Sequence, residues 1–251
     1  MIRPRREISA LLELGILFLP SIPAYIWLWP NLQGDTLTPI VQSLVYVYVL
    51  GGVICIGRRR WSWGQLGLNR SGIGLSLVCG VIFIAERGLA QLALGLPLDM
   101  HPFNLRRVFG EVVFYFVLVG LVEELLFRGL MFRVLVDWRS PSWAIIGSSL
   151  GFAVWHIGWA GPLIVAHFLI GMVFGLIRWR AGGIVGLILV HGLFDLVAVE
   201  TQTPVSFETI DQLLHLRIAN PQAVLVGDVL LFGLTLYLWK IHPRVQRSPH
   251  V

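Results

Sequence analysis

About eight apolar segments, most near the length of a membrane-crossing helix, leave this chain few ways to fold. They run roughly over 8–29, 37–57, 72–96, 108–133, 142–160, 162–178, 183–199 and 222–241. In hydrocarbon, a backbone segment of this kind must satisfy its own N–H and C=O groups, which an α-helix does. The composition agrees: of 251 residues 56% are hydrophobic and 13% charged, against roughly 25% charged in soluble domains. Mean hydropathy is +0.78. The expectation is an all-α, polytopic bundle of about eight transmembrane helices, with residues 1–251 forming one integral membrane domain. No tandem repeat or low-complexity linker divides it.

The formal charge of +5 is carried by arginine clusters between apolar segments. Arg3, Arg5 and Arg6 precede the first span, and Arg58, Arg59 and Arg60 follow the second. Arg133 and Arg139 follow the fourth, Arg178 and Arg180 the sixth, and Lys240, Arg244 and Arg247 the eighth. The alternate connections are poorer in basic residues, and 200–221 carries Glu200, Glu208 and Asp211. Positive charge retained on the cytoplasmic side then places both termini in the cytoplasm, and a prokaryotic plasma membrane is the expected setting. Arg106-Arg107, on the outer side, is the exception. Such clusters are topology signals rather than a nucleic-acid surface, and lipid is the expected surrounding. Trp27, Trp29, Trp61, Trp63, Trp138, Trp143, Trp179 and Trp239 lie near predicted span ends, as in an interfacial belt. Cys55 and Cys79 sit in apolar segments and indicate neither a disulfide framework nor a cysteine-rich zinc site. The amino terminus, basic then apolar, reads as an uncleaved first helix.

Against that background the charged residues inside the spans stand out, because a charge at membrane depth costs a few kcal/mol or more. Glu123 and Glu124 follow an apolar run that starts at Val112, and Arg128 lies one turn on. Residues four apart share a helix face, so Glu124 can pair with Arg128 while Glu123 points elsewhere. Glu123 is then the candidate proton carrier and Glu124 the anchor. Later spans contain Phe152-x-x-x-His156 and His191-x-x-x-Asp195. The two imidazoles come from different helices and can face one cavity, with Asp195 orienting or charging His191. Water between Glu123 and His156 is a potential nucleophile, and His191 a donor to the oxyanion formed at an amide carbonyl.

These three motifs, in this order and spacing, resemble the signature of the CPBP family. Its members are the CaaX protease and bacteriocin-processing intramembrane proteins, also called Abi, related to the type II CaaX prenyl endopeptidases. The resemblance covers about 108–200, which marks the expected catalytic core. It implies an eight-helix bundle and endopeptidase chemistry on a peptide or protein substrate, prenylated or not. It also implies that Glu123 and His156 activate water while His191 and Asp195 hold the oxyanion. Glu124, Arg128 and Phe152 match the supporting signature positions. The last position is commonly Asn in the prenyl proteases, and Asp195 departs from that. An ionised Asp cannot donate to an oxyanion. So Asp195 is protonated, or it only orients His191, or the chemistry differs.

Two alternatives stand beside this reading. One carboxylate and two imidazoles, Glu123, His156 and His191, also make an acceptable catalytic zinc set, although the metal-free version is favoured. The same polar cavity would equally serve a non-catalytic immunity, scaffold or transport protein. Glu86-Arg87 reads as a structural pair or a substrate contact, the former favoured, and Glu13, His167 and Asp228 show no partner pattern. A depth mismatch is also expected: Glu123 is near the middle of its span and His156 near the end of its own.

Overall fold

The computed structural model describes residues 4–20, 38–93, 104–156, 164–200, 233, 234, 236–238 and 240. All regular structure among them is helical. In chain order the elements are α1 (Pro4–Phe18), α2 (Thr38–Arg58), α3 (Ile73–Ala93), a long rod α4, α5 (Pro141–Trp155), α6 (Ile164–Ala181) and α7 (Val185–Glu200). The rod α4 joins five consecutive pieces: Leu105–Val113, Phe114–Gly120, Leu121–Glu124, Leu125–Met131 and Phe132–Trp138. The all-α expectation therefore holds among the described residues. Most of the predicted eighth span, and Asp228 with it, lies outside them.

Three helix ends differ from the hydropathy reading: the fifth span, expected to reach 160, closes as α5 at Trp155, and the other two differ for reasons written in the chain. The first span, expected to reach residue 29, closes as α1 at Phe18. Leu19 precedes Pro20, and a residue before proline is pushed out of the helical region. The fourth, expected to end at 133, continues to Trp138. Arg133 and Asp137 are not a boundary: they pair across one turn at 2.7 Å and stay on one helical face. At the following corner Ser140 caps α5 by accepting from Trp143 N, with Pro141 in the first turn.

Two stretches of α4, Phe114–Gly120 and Leu125–Met131, are wound as π-helix. Leu121 N bonds Phe116 O, and Phe132 N reaches Phe127 O, each five residues back. These wide turns bracket Glu123-Glu124 on both sides; such turns are frequent at functional sites.

Close helix crossings rest on small residues. A Cβ at Gly171 would lie 2.9 Å from Ser149 Cα, and one at Gly175 3.4 Å from Ile145 Cα. This four-residue repeat lets α6 lie directly on α5. Similarly, a Cβ at Gly120 would meet Ile188 O at 2.9 Å, and one at Gly192 would meet Phe116 Cα at 3.0 Å. The α4–α7 contact is thus nearly backbone to backbone. These two crossings involve all three motif-bearing helices, α4, α5 and α7, with α6 packed on α5.

The basic connections gather at one end. Arg60 holds Glu13 through both guanidinium nitrogens, at 2.6 and 2.8 Å. Trp61 Nε1 donates to Asp137 Oδ2 at 3.0 Å. Arg178 donates to Arg128 O, Gln65 O and Gly182 O, tying the 59–72 connection to α4 and α6. Glu13 thus has a partner that the sequence does not reveal. Arg107, one half of the topological exception, is balanced by Glu111 at 3.1 Å. The side chains of Glu86 and Arg87 lie outside the described residues.

Large apolar side chains point outward on α1 to α5 and on α7, among them Ile16, Leu44, Val81, Phe109, Leu150 and Leu193. By length and composition, Ile40–Arg58 is the one helix among the described residues able to cross a membrane. Ile8–Phe18, Ile73–Ala85 and Val185–Val197 are shorter apolar helices. The count of eight spans goes beyond what these residues show.

Candidate active site

The depth mismatch expected from the spans disappears once α4 is seen to run to Trp138. Glu123 precedes Trp138 by 15 residues, and His156 follows Pro141 by 15. In an antiparallel helical hairpin these positions are level. Glu123 Oε2 lies 3.7 Å from His156 Nε2 and 3.8 Å from His191 Nε2. Three groups from three helices thus converge on one point, too far apart for direct hydrogen bonds.

Each half of the Glu123 carboxylate has a different environment. Oε1 accepts from Tyr46 Oη at 2.6 Å and from Trp155 Nε1 at 3.2 Å. Oε2 is buried and has no hydrogen-bond partner among the described residues. Two neutral donors from α2 and α5 therefore fix the group and aim its other oxygen at the imidazoles. The motifs mark neither Tyr46 nor Trp155. Trp155 adjoins His156, but nothing in the spacing of Tyr46 distinguishes it among the apolar residues of its span.

Glu124 is wholly enclosed. Its Oε1 accepts from Arg128 Nη1 at 2.9 Å and from His191 Nδ1 at 2.8 Å. The Arg128 guanidinium, itself fully buried, lies 4.4 Å from the centre of the Phe152 ring and 5.1 Å from that of Phe174. These rings give it cation–π contact where water is absent. The pairing expected from the spacing is present. Its consequence goes beyond the spacing, because the Glu124–Arg128 pair also grips one nitrogen of His191.

Bond partners settle which ring nitrogens carry protons. His156 Nδ1 lies 2.8 Å from Phe152 O, and a carbonyl can only accept. Nδ1 is therefore the donor, and in a neutral ring Nε2 presents its lone pair towards Glu123 Oε2. By the same logic His191 Nδ1 donates to the Glu124 carboxylate, leaving Nε2 facing the shared point.

Phe152, singled out by its motif, contacts the rings of Phe127, His156, His167 and His191. Asp195 is peripheral by comparison. Its Oδ2 lies 3.6 Å from His191 Nε2, and its side chain is 22% exposed where the Glu123 and Glu124 side chains are at most 1%. His167, which carries no recognisable pattern in the sequence, stacks on His156 at 4.5 Å between ring centres. Among the described residues no group of three or more His, Cys, Asp or Glu side chains is placed to hold a metal ion.

A protein of Escherichia coli described as "Uncharacterized 24.3 kDa protein" is 30% identical over 132 residues. The match takes in 47% of this chain and 60% of that protein, so the chain spans less than two thirds of this relative's length. No solved structure matches. The family model for the Type II CAAX prenyl endopeptidase Rce1-like proteins matches residues 106–197, which hold every motif residue described above. Residues 106–197 are thus similar to the Rce1-like proteins over the stretch whose motifs resemble the CPBP family.

Proposed function

We propose that this protein is an intramembrane endopeptidase that hydrolyses a peptide bond with water activated by Glu123. The observation that carries the reading is the convergence of Glu123 Oε2, His156 Nε2 and His191 Nε2 within 3.8 Å. Water placed there gives one proton to Glu123 Oε2 and offers the other to the His156 Nε2 lone pair. Its oxygen attacks the carbonyl carbon, and the resulting oxyanion accepts from Nε2–H of a doubly protonated His191. Glu123 then returns its proton to the departing amine as the C–N bond breaks. Tyr46 and Trp155 hold the base still, and Glu124 with Arg128 holds His191. Asp195 orients His191 and does not donate, which accommodates the departure from Asn.

The setting is a prokaryotic plasma membrane, crossed about eight times with both termini cytoplasmic. The outward apolar faces, the membrane-length helix and the clustering of basic connections at one end support it. The substrate is a peptide or protein segment presented at the membrane, prenylated or not.

Metal-free chemistry is favoured over zinc by the spacing of the three groups. Ligands of a tetrahedral zinc lie about 3.3 Å apart, given bonds of about 2.0–2.1 Å. The two distances from Glu123 Oε2 are wider than this. Full activity after exhaustive treatment with a strong chelator is expected; loss restored by zinc alone selects the metalloprotease. The immunity, scaffold or transport reading has a separate test. Peptidomic profiles of cells with intact protein and with Glu123→Ala should differ by a set of cleavage products, and the purified protein should generate them in proteoliposomes. Full biological activity in a Glu123→Ala, His156→Ala double variant would move the protein to that non-catalytic class.

A further inference from the structure

His156 stands at the very end of its helix, unlike Glu123 and His191, which lie within theirs. Its backbone, at φ −90 and ψ 0, has already left helical geometry and forms the cap of α5. Besides the Nδ1 bond to Phe152 O, two aromatic neighbours hold the ring. Phe152 lies 4.5 Å away with planes tilted by 52°, and His167 lies 4.5 Å away with planes inclined by only 23°. Phe152 and His167 are themselves 6.1 Å apart, so they flank His156 from two different directions. A hydrogen bond through one nitrogen does not by itself fix the plane of an imidazole, which can pivot about the bonded atom. A parallel ring against its face restricts that pivot.

We propose that His167 is a positioning residue that sets the plane of the His156 imidazole. It sits in the first turn of α6, where the Gly171–Ser149 crossing presses α6 onto α5. The helix contact therefore transmits directly into the orientation of His156 Nε2. What matters is the flat face of the residue at 167 rather than its basic nitrogen, since the rings meet face to face. Displacing a reacting group by about 1 Å can cost on the order of a hundredfold in rate, so a pivot of this ring has a large effect.

The proposal rests on His156 helping to hold the attacking water, and its test separates the two claims. Wild type, His167→Ala and His167→Phe are compared in proteoliposomes on one cleaved peptide, with Glu123→Gln as reference. His167→Ala is expected to lower kcat by about ten- to a hundredfold with KM nearly unchanged, and His167→Phe to restore it to within about threefold. Wild-type kcat in His167→Ala overturns the proposal, and so does failure of Phe to rescue. Nitrogen NMR of 15N-histidine-labelled protein provides a readout independent of turnover. With His156 identified by its loss in His156→Gln, it should keep the Nδ1–H tautomer in all three proteins, with an Nε2 resonance that is sharp in wild type and His167→Phe and broadened in His167→Ala. An Nε2 resonance in folded His167→Ala as sharp and as placed as in wild type also overturns the proposal. Activity surviving in Glu123→Gln defeats the hydrolytic reading instead and leaves the NMR comparison to decide the role of His167.

Discussion

Glu123 and Glu124 are neighbours in sequence, yet the two sides of their helical turn are built on different principles. Around Glu124 the protein neutralises charge: Arg128 and His191 share one oxygen, and aromatic rings close over the cation. Around Glu123 it supplies neutral donors to one oxygen and leaves the other facing two imidazoles. A carboxylate bound to a permanent cation is poorly suited to collect a proton. One that is positioned but not neutralised keeps its basic oxygen available. On the proposed mechanism this difference pairs a structural acid with a working one, and the structural acid acts by fixing the donor imidazole.

The contrast can be broken most forcefully at Glu123 itself. Glu123→Gln retains an acceptor for Tyr46 and Trp155 but removes the base, so turnover should fall by about 10²- to 10⁴-fold with the fold intact. Glu124→Ala should fail differently. It leaves Arg128 buried without its anion, a loss of about 3–5 kcal/mol that would appear in a thermal melt in detergent before any assay. A variant that melts like wild type would contradict the structural role given to Glu124.

Smaller effects sharpen the picture on the Glu123 side. Tyr46→Phe removes one hydrogen bond to a charged group, a kind of bond worth about 1.5–3 kcal/mol. If the bond acts on the orientation of the base, kcat should fall by about tenfold or more alongside a drop of a few degrees in the melting midpoint. The smallest change is expected at Asp195→Asn, where turnover should stay within about threefold of wild type because orienting His191 does not require a charge. A large gain in Asp195→Asn would show instead that a donor at this position contacts the oxyanion.

Much of this arrangement is readable from the sequence, and the exceptions share a cause. Apolar length locates α2, α3 and α7 closely, since their ends coincide with arginines, glycines or the end of hydrophobicity. It misplaces the end of α1, where Pro20 outweighs hydropathy, and that of α4, where an ion pair extends a helix beyond its apolar run. The motif spacing identifies the Glu124–Arg128 pair, because i,i+4 geometry is local, whereas the convergence of the two histidines rests on how α5 and α7 pack. Tyr46, Trp155 and His167 are invisible as site residues because each acts through a contact between helices. No periodicity within one segment encodes how the next one crosses it. The π-helical turns around Glu123 and Glu124 are likewise hidden, since they shift a helix face without altering composition.

The most direct test measures turnover and melting midpoint together, for Glu123→Gln and Glu124→Gln beside wild type in the same lipid or detergent. The account predicts that Glu123→Gln keeps the wild-type midpoint and loses cleavage, whereas Glu124→Gln loses stability as well. Cleavage at the wild-type rate by Glu123→Gln would contradict it.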